Sequence, residues 1–307
     1  MAVVQPGSLP PLDVGRAPEG GEVGAIQSGW RLALREFSRN RLAVTGVGIV
    51  VFFVLFCFLG PLFYHGDVLQ VNPIVANEPP GAGHPLGTDT NGFDILAQLM
   101  KGGQAALEIG FFSAFVAITI GSLVGSVAGL VGGVVDATLM RVVDIFLAVP
   151  FLFVVLILAV RYGASVLSLS LVIGGFSWPV PSRLVRGEVL TIRERDFVLA
   201  ARTAGSGNWR LISRHLLPNA LGVVVVNVTF QVADAILAVS YVGFLGFGLH
   251  YPNIDWGDML SNGVGYLTDG YWWLIYPVGA CIVLTVMALN FIGDALRDSL
   301  DVRLRRR

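Results

Sequence analysis

Four polar residues stand at helical spacing inside one long apolar run. Asn227, Gln231, Asp234 and Tyr241 occupy positions i, i+4, i+7 and i+14, and no other residue from 219 to 245 carries a charge. At about 100° per residue they share a face roughly 80° wide. The chemistry open to such a face is recognition and not bond making. A carboxylate beside an amide and a phenol can hold an ammonium or another cation, or accept hydrogen bonds across a seam between helices. Polar groups in hydrocarbon are costly unless they meet water or partners, so the face is expected to line a pathway or a subunit seam and not lipid.

Elsewhere the chain offers little reactive chemistry. Cys57 and Cys281 lie in apolar runs and suggest neither a disulfide framework nor a zinc site. His65, His84, His215 and His250 are scattered, with no pair at metal-ligand spacing on one element. Lys101 is the only lysine among 20 basic residues. In Met100-Lys101-Gly102-Gly103 it lacks the glycine-rich run and the following Ser or Thr of a phosphate-cradling loop. No Gly-x-Ser-x-Gly elbow occurs. An ATPase of the P-loop kind is excluded, and neither catalysis, nor a cofactor, nor a metal is expected in this chain.

The elements that carry the polar face follow from composition. The chain is 54% hydrophobic and 13% charged, with a formal net charge of -1, where soluble domains carry about a quarter charged residues. Lipid is the expected solvent, and there is no basic field for nucleic acid. Residues 42–64 contain no charge and make about 34 Å of helix, enough to cross roughly 30 Å of hydrocarbon. Five further spans are expected at 107–133, 143–160, 164–180, 219–245 and 274–292, the third and fourth forming a hairpin at Arg161-Tyr162-Gly163. The fourth is short and broken by Pro179 and Pro181. The expected fold is an all-α membrane protein of six transmembrane helices. It divides into a disordered tail at 1–29, a lead-in and first span at 30–64, an outer loop at 65–106, a core at 107–303 containing a long loop at 181–218, and a basic end at 304–307.

Arginine placement sets the expected orientation. Arg31, Arg35, Arg39 and Arg41, then Arg183, Arg186, Arg193, Arg195, Arg202, Arg210 and Arg214, then Arg297, Arg303, Arg305, Arg306 and Arg307 fall on one side of a six-span topology. The other side sets only Lys101 against Asp67, Glu78, Asp89, Asp94, Asp255, Asp258 and Asp269. The positive-inside rule puts both termini and the long loop in the cytoplasm. The second span carries Ser113, Ala117, Gly121, Gly125, Gly129 and Gly133 every four residues, a small-residue stripe along which another helix can approach closely, in this chain or in a neighbour.

The long loop is the most informative stretch. From Arg195 to Asn219 it reads as two short helices broken at Gly205 to Gly207, where positive φ is cheap. Asn208 is placed to cap the second helix, and Pro218 to interrupt backbone donation near the next span. Ala200, Ala201 and Ala204 beside Phe197 and Val198 give a helix shaped for a groove on a soluble partner. This stretch resembles the EAA loop of ABC importer permeases: Glu-Ala-Ala, three residues, Gly, nine residues, Ile-x-Leu-Pro. Ala200, Ala201, Gly205, Leu217 and Pro218 match in register, while Leu199 replaces the glutamate and His215 the isoleucine. His84-Pro85-Leu86-Gly87-Thr88-Asp89, Phe244-Leu245-Gly246-Phe247-Gly248 with Trp256-Gly257-Asp258-Met259-Leu260, and the ending from Asn290 to Asp301 are similar to the dipeptide, oligopeptide and nickel permease branch, second-subunit type. Phe93 and Val239 stand where that branch often has an arginine and a glutamate.

The resemblance, over roughly residues 30 to 303, implies the type I ABC importer permease fold in a bacterial inner membrane. It implies a homologous permease as partner, two cytoplasmic ATPase subunits that carry ATP and Mg, and an extracytoplasmic substrate-binding protein. Phe197, Ala200, Ala201, Gly205, Leu217 and Pro218 would couple to an ATPase. Di- or oligopeptide is the expected cargo, with nickel or another small solute as the alternative. A secondary transporter would show internal repeats and charged or discontinuous elements at the midplane, and a receptor would need a larger extramembrane domain.

Overall fold

The computed structural model describes residues 35–66, 68 and 70–305. The expected tail at 1–29, together with Arg306 and Arg307 of the basic end, lies outside them. Among the described residues the chain is helical, with one isolated bridge between Thr88 and Asp94.

Helix α1, Arg41–Phe63, carries the uncharged first span from Leu42 onward and is started by Asn40, whose side chain accepts from the amides of Leu42 and Ala43. Helix α2 runs Ile95–Val131 and begins 12 residues before the expected span. Its start is set by Asp94, whose carboxylate accepts from the Ala97 amide at 2.9 Å, so that 95–106, read as loop, is helix. It stops at Gly132, φ +69.

The third expected span is two helices, α3 (Gly133–Ala148) and α4 (Phe151–Tyr162), bent by 79°. The bend sits at Val149, extended at φ -84 and ψ 131, the conformation that a following proline, here Pro150, imposes. The fourth is α5, Val166–Ser177, opened by a capping box between Ser165 and Ser168. At 12 residues it is too short to span alone. Trp178 joins it in helical conformation to α6, Pro179–Ile192. Pro179 and Pro181 therefore open a helix, where a missing donor costs little, and do not end one.

Helices α7 (Asp196–Thr203) and α8 (Asn208–Leu211) make the loop hairpin, and a π turn, Ile212–Leu216, leads into α9, Leu217–Phe244. Helix α10 is Trp256–Val264 and α11 is Tyr276–Arg305. The count of six simple spans is corrected: among the described residues four helices are long and apolar enough to cross a membrane, with the bent pair α3–α4 as a fifth.

Helix α2 is the axis of the bundle. Gly121, Gly125 and Gly129 of its small-residue stripe meet α6 of the same chain and Ser113 meets α5, which settles the question left open by spacing. A Cβ on Gly121 would lie 2.7 Å from Pro181 Cβ, one on Gly125 would lie 2.9 Å from the Arg186 amide, and one on Gly129 would lie 2.8 Å from Val189 Cγ1. Gly133 is off this seam: no atom stands within 4 Å of its would-be Cβ, and the chain has already turned. Arg186 closes the seam from outside with two bonds of 2.5 and 2.6 Å to Asp136, and Arg183 pairs with Asp144, so that α3 is tied to α6 by charge. Apolar packing on α3 is thin, with Val143 its one buried residue.

Two cores stand at different levels. The larger joins Phe53, Ile109, Ile236 and Trp256. The smaller joins Leu130, Val189, Val198, Leu211 and Leu216 under the loop hairpin.

Candidate partner-docking surface and intramembrane polar face

The hairpin is held by a few buried side chains and leaves the rest of α7 open. Val198 is 2% exposed and packs with Leu130 of α2 and Val189 and Ile192 of α6. Ala201, one turn on, is half-buried against the same cluster, as is Leu217. The other side presents Phe197, Leu199, Ala200 and Ala204 to solvent, and Trp209 of α8 is exposed beside them. Of the residues expected on the docking side, Phe197, Ala200, Gly205 and Pro218 are therefore open, while Ala201 and Leu217 face their own chain.

The end of α7 is a Schellman motif. The Ser206 amide donates to Ala201 O at 3.0 Å and the Gly205 amide to Arg202 O at 3.0 Å, with Gly205 at φ +82. Only this glycine of the pair needs the left-handed region, since Gly207 is extended at φ -69 and ψ 159. Gly207, not Asn208, is the cap residue of α8, and no side chain caps that helix. Nor does Pro218 interrupt the chain. The Leu217 amide reaches five residues back to Ile212 O, and the widened turn carries the helix past a residue that has no donor. The Phe197 and His215 rings lie 6.3 Å apart, linking α7 to that turn.

On α9 the structure separates the four polar residues. Asp234 and Tyr241 are exposed, Asn227 is half-buried with its amide donated to Val223 O, and Gln231 is buried at 8%. Gln231 is the member furthest round the face, and packing within the chain buries it. Glu108 was missed by sequence reading. Because α2 starts at Ile95, Glu108 lies about 20 Å along a helix at 1.5 Å per residue and not at a span's edge, and it is exposed. The signal that could have found it was Asp94, an N-cap residue ahead of an unbroken helical run.

At the end of the bundle away from the hairpin, the family-like motifs build a cap. Asp94, fully buried, accepts from Tyr64 Oη at 2.6 Å and pairs with His84 Nδ1 at 2.8 Å. Asp89 accepts from the Phe93 amide at 2.9 Å and from Gln98 at 2.7 Å. Asp255 caps α10 through the Asp258 amide and also accepts from the Leu249 amide at 2.8 Å. Burial raises its carboxyl, against the pull of these donors. Trp256 and Trp273 donate to Leu99 O and Thr88 O at 3.0 and 3.2 Å. These contacts give the aspartates of the motifs structural work, done by hydrogen bonds inside the cap.

Comparison with known proteins gives the same frame. Residues 121–306 match the family described as binding-protein-dependent transport system inner membrane component. Residues 28–80 match the N-terminal TM domain of oligopeptide transport permease C. The dipeptide transport system permease protein DppC of Alkalihalophilus pseudofirmus is 34% identical over 91% of this chain and 91% of its own. The oligopeptide transport system permease protein OppC of Escherichia coli is 37% identical over 90% of this chain and 92% of its own. A chain of the MetNI methionine ABC transporter in an inward-facing conformation superposes with a TM-score of 0.54 at 22% identity, covering 66% of this chain and 96% of that one. That likeness carries the fold. The family match over residues 121–306, with relatives at 34 and 37% identity along nine-tenths of the sequence, makes this chain a member of the binding-protein-dependent transport system inner membrane component family, a multi-pass permease of a bacterial ABC importer.

Proposed function

We propose that this chain and a homologous permease together form the pathway of a di- or oligopeptide importer. Two cytoplasmic ATPase subunits carry ATP and Mg, one of them docking on the 196–215 hairpin of this chain, and an extracytoplasmic binding protein delivers the cargo. The observation that carries the reading is the open side of α7: Phe197, Leu199 and Ala200 are exposed on a helix whose opposite side is fixed to α2 and α6 through Val198. An apolar surface with small residues, on a rigid mount outside the spans, fits a groove on a soluble partner. The peptide cargo is supported by the names that the relatives carry.

In this reading both termini and the hairpin are cytoplasmic, and Asn227, Gln231, Asp234 and Tyr241 lie along the pathway or its seam. ATP binding closes the ATPases, α7 moves with them, and the bundles switch from inward to outward facing. The chain itself performs no hydrolysis.

Single cysteines replacing Asn77 and Ser206 are expected to react with a membrane-impermeant maleimide from opposite sides, Asn77 from outside. Labelling of both from outside overturns the orientation. ATP-dependent uptake of a labelled tripeptide into proteoliposomes that hold the complete complex tests the cargo. Hydrolysis without peptide uptake in the wild-type complex overturns that part.

A further inference from the structure

We propose that Asp234 is a cation-selective station in the pathway, holding the ammonium or guanidinium of a basic peptide in transit. This rests on the permease reading above and adds a substrate preference to it.

The geometry begins at the contact between α2 and α9. A Cβ on Gly110 would meet Ile236 and Val232, so these residues mark the side of α9 that touches α2. Asp234 lies midway between them in sequence, about 200° from each, and thus points away from α2. Asp234 is an exposed residue, and it forms no ion pair among the described residues. Lipid is an untenable environment for it.

Two observations favour a wet pathway over a helix seam. Where this chain builds a seam, between α2 and α6, glycines at 121, 125 and 129 let backbones touch. The Asp234 face has no glycine of its own; Phe230 at its margin packs on Gly293 of α11, while Asp234 and Tyr241 stay exposed. The polar groups are also strung out. Asn227, Asp234 and Tyr241 recur every seven residues, a track of about 21 Å at 1.5 Å per residue. A single buried hydrogen bond across a seam needs one such group, whereas a hydrated path uses a row.

The chain also contains its own control. Glu108 sits two residues from Gly110 and so close to Asp234 in depth, but about 160° from the α9 contact, on the opposite side of the α2–α9 pair. A carboxylate is thus available at the same level but off the track.

The test uses the complete complex in proteoliposomes, with binding protein loaded to saturation with Ala-Lys-Ala, Ala-Ala-Ala or Ala-Glu-Ala. The expected result is that Asp234→Asn lowers the ratio of lysyl to glutamyl peptide uptake by about five- to tenfold, the size of one charge-assisted contact. Asp234→Glu should keep the ratio, and Glu108→Gln should leave it at the wild-type value. An unchanged ratio in an assembled Asp234→Asn complex overturns the proposal, and so does equal loss for all three peptides. Failure of Asp234→Asn to assemble while Asp234→Glu assembles assigns the carboxylate to the subunit seam and also overturns it. A wild-type complex that carries none of the peptides defeats the peptide-cargo reading itself, a result visible before any variant is compared.

Discussion

Replacing Gly125 by alanine is expected to leave little assembled protein in the membrane. The new Cβ would fall against the carbonyl oxygen of Ser182 and 2.9 Å from the Arg186 amide, both backbone atoms that cannot swing aside. Relief requires α2 and α6 to separate, which strips contacts from the neighbouring glycines. Overpacking of this kind costs about 1–3 kcal/mol, a large part of the margin by which proteins are folded. Gly175→Ala is the matched control, because its Cβ meets nothing within 4 Å and Gly175 lies in a helix with ordinary backbone angles. Size-exclusion profiles of detergent-extracted complex should show the Gly125 variant depleted several-fold and the Gly175 variant near wild type. Equal yields would mean that the α2–α6 seam is softer than its spacing indicates.

The second large effect is expected at Gly205. Valine there must either adopt φ near +82 or release the two amide bonds that end α7. Left-handed backbone costs an L residue about 1–2 kcal/mol, and a β-branched one more. No atom of the described residues crowds the site, so the membrane domain should fold and insert. What changes is the shape presented to the ATPase. Uptake is expected to fall at least tenfold while ATP hydrolysis by the purified complex persists, and Gly205→Asn, which tolerates the left-handed region, should recover much of the uptake. Wild-type uptake by the valine variant would remove Gly205 from the coupling surface.

How far the sequence could be read depended on which force fixed each element. The first span was legible because 23 uncharged residues leave hydrophobicity alone to decide it. The onset of α2 was not, because Asp94 starts the helix by capping while Lys101, Gly102 and Gly103 mimic a loop in composition. The 79° break was signalled by Pro150 yet hidden in a run of otherwise continuous apolar character. On the hairpin, the glycine stop was readable from φ preferences, but which side of α7 faces out was not. Ala200 and Ala201 are the same residue type, and only packing of Val198 on Leu130 and Val189 turns one outward and the other in. Gln231 shows the same limit: spacing placed it on the polar face, and packing within the chain took it off. The glycine stripe announced a seam, and only the fold could name its partner.

That seam has a mechanical consequence. With only glycine on the α2 side of the seam, the backbone of α6 and the side chains of Pro181 and Val189 lie directly against α2, and the two helices behave as one beam, stiff against bending and against sliding. The hairpin is bolted to the beam through Val198, Leu130 and Val189, and at the far tip of α2, about 55 Å away at 1.5 Å per residue, Asp94 clamps the loop that carries Tyr64 and His84. A displacement of a few ångströms at one surface of the membrane therefore arrives at the other as tilt of a rod, with no intermediate joint to absorb it.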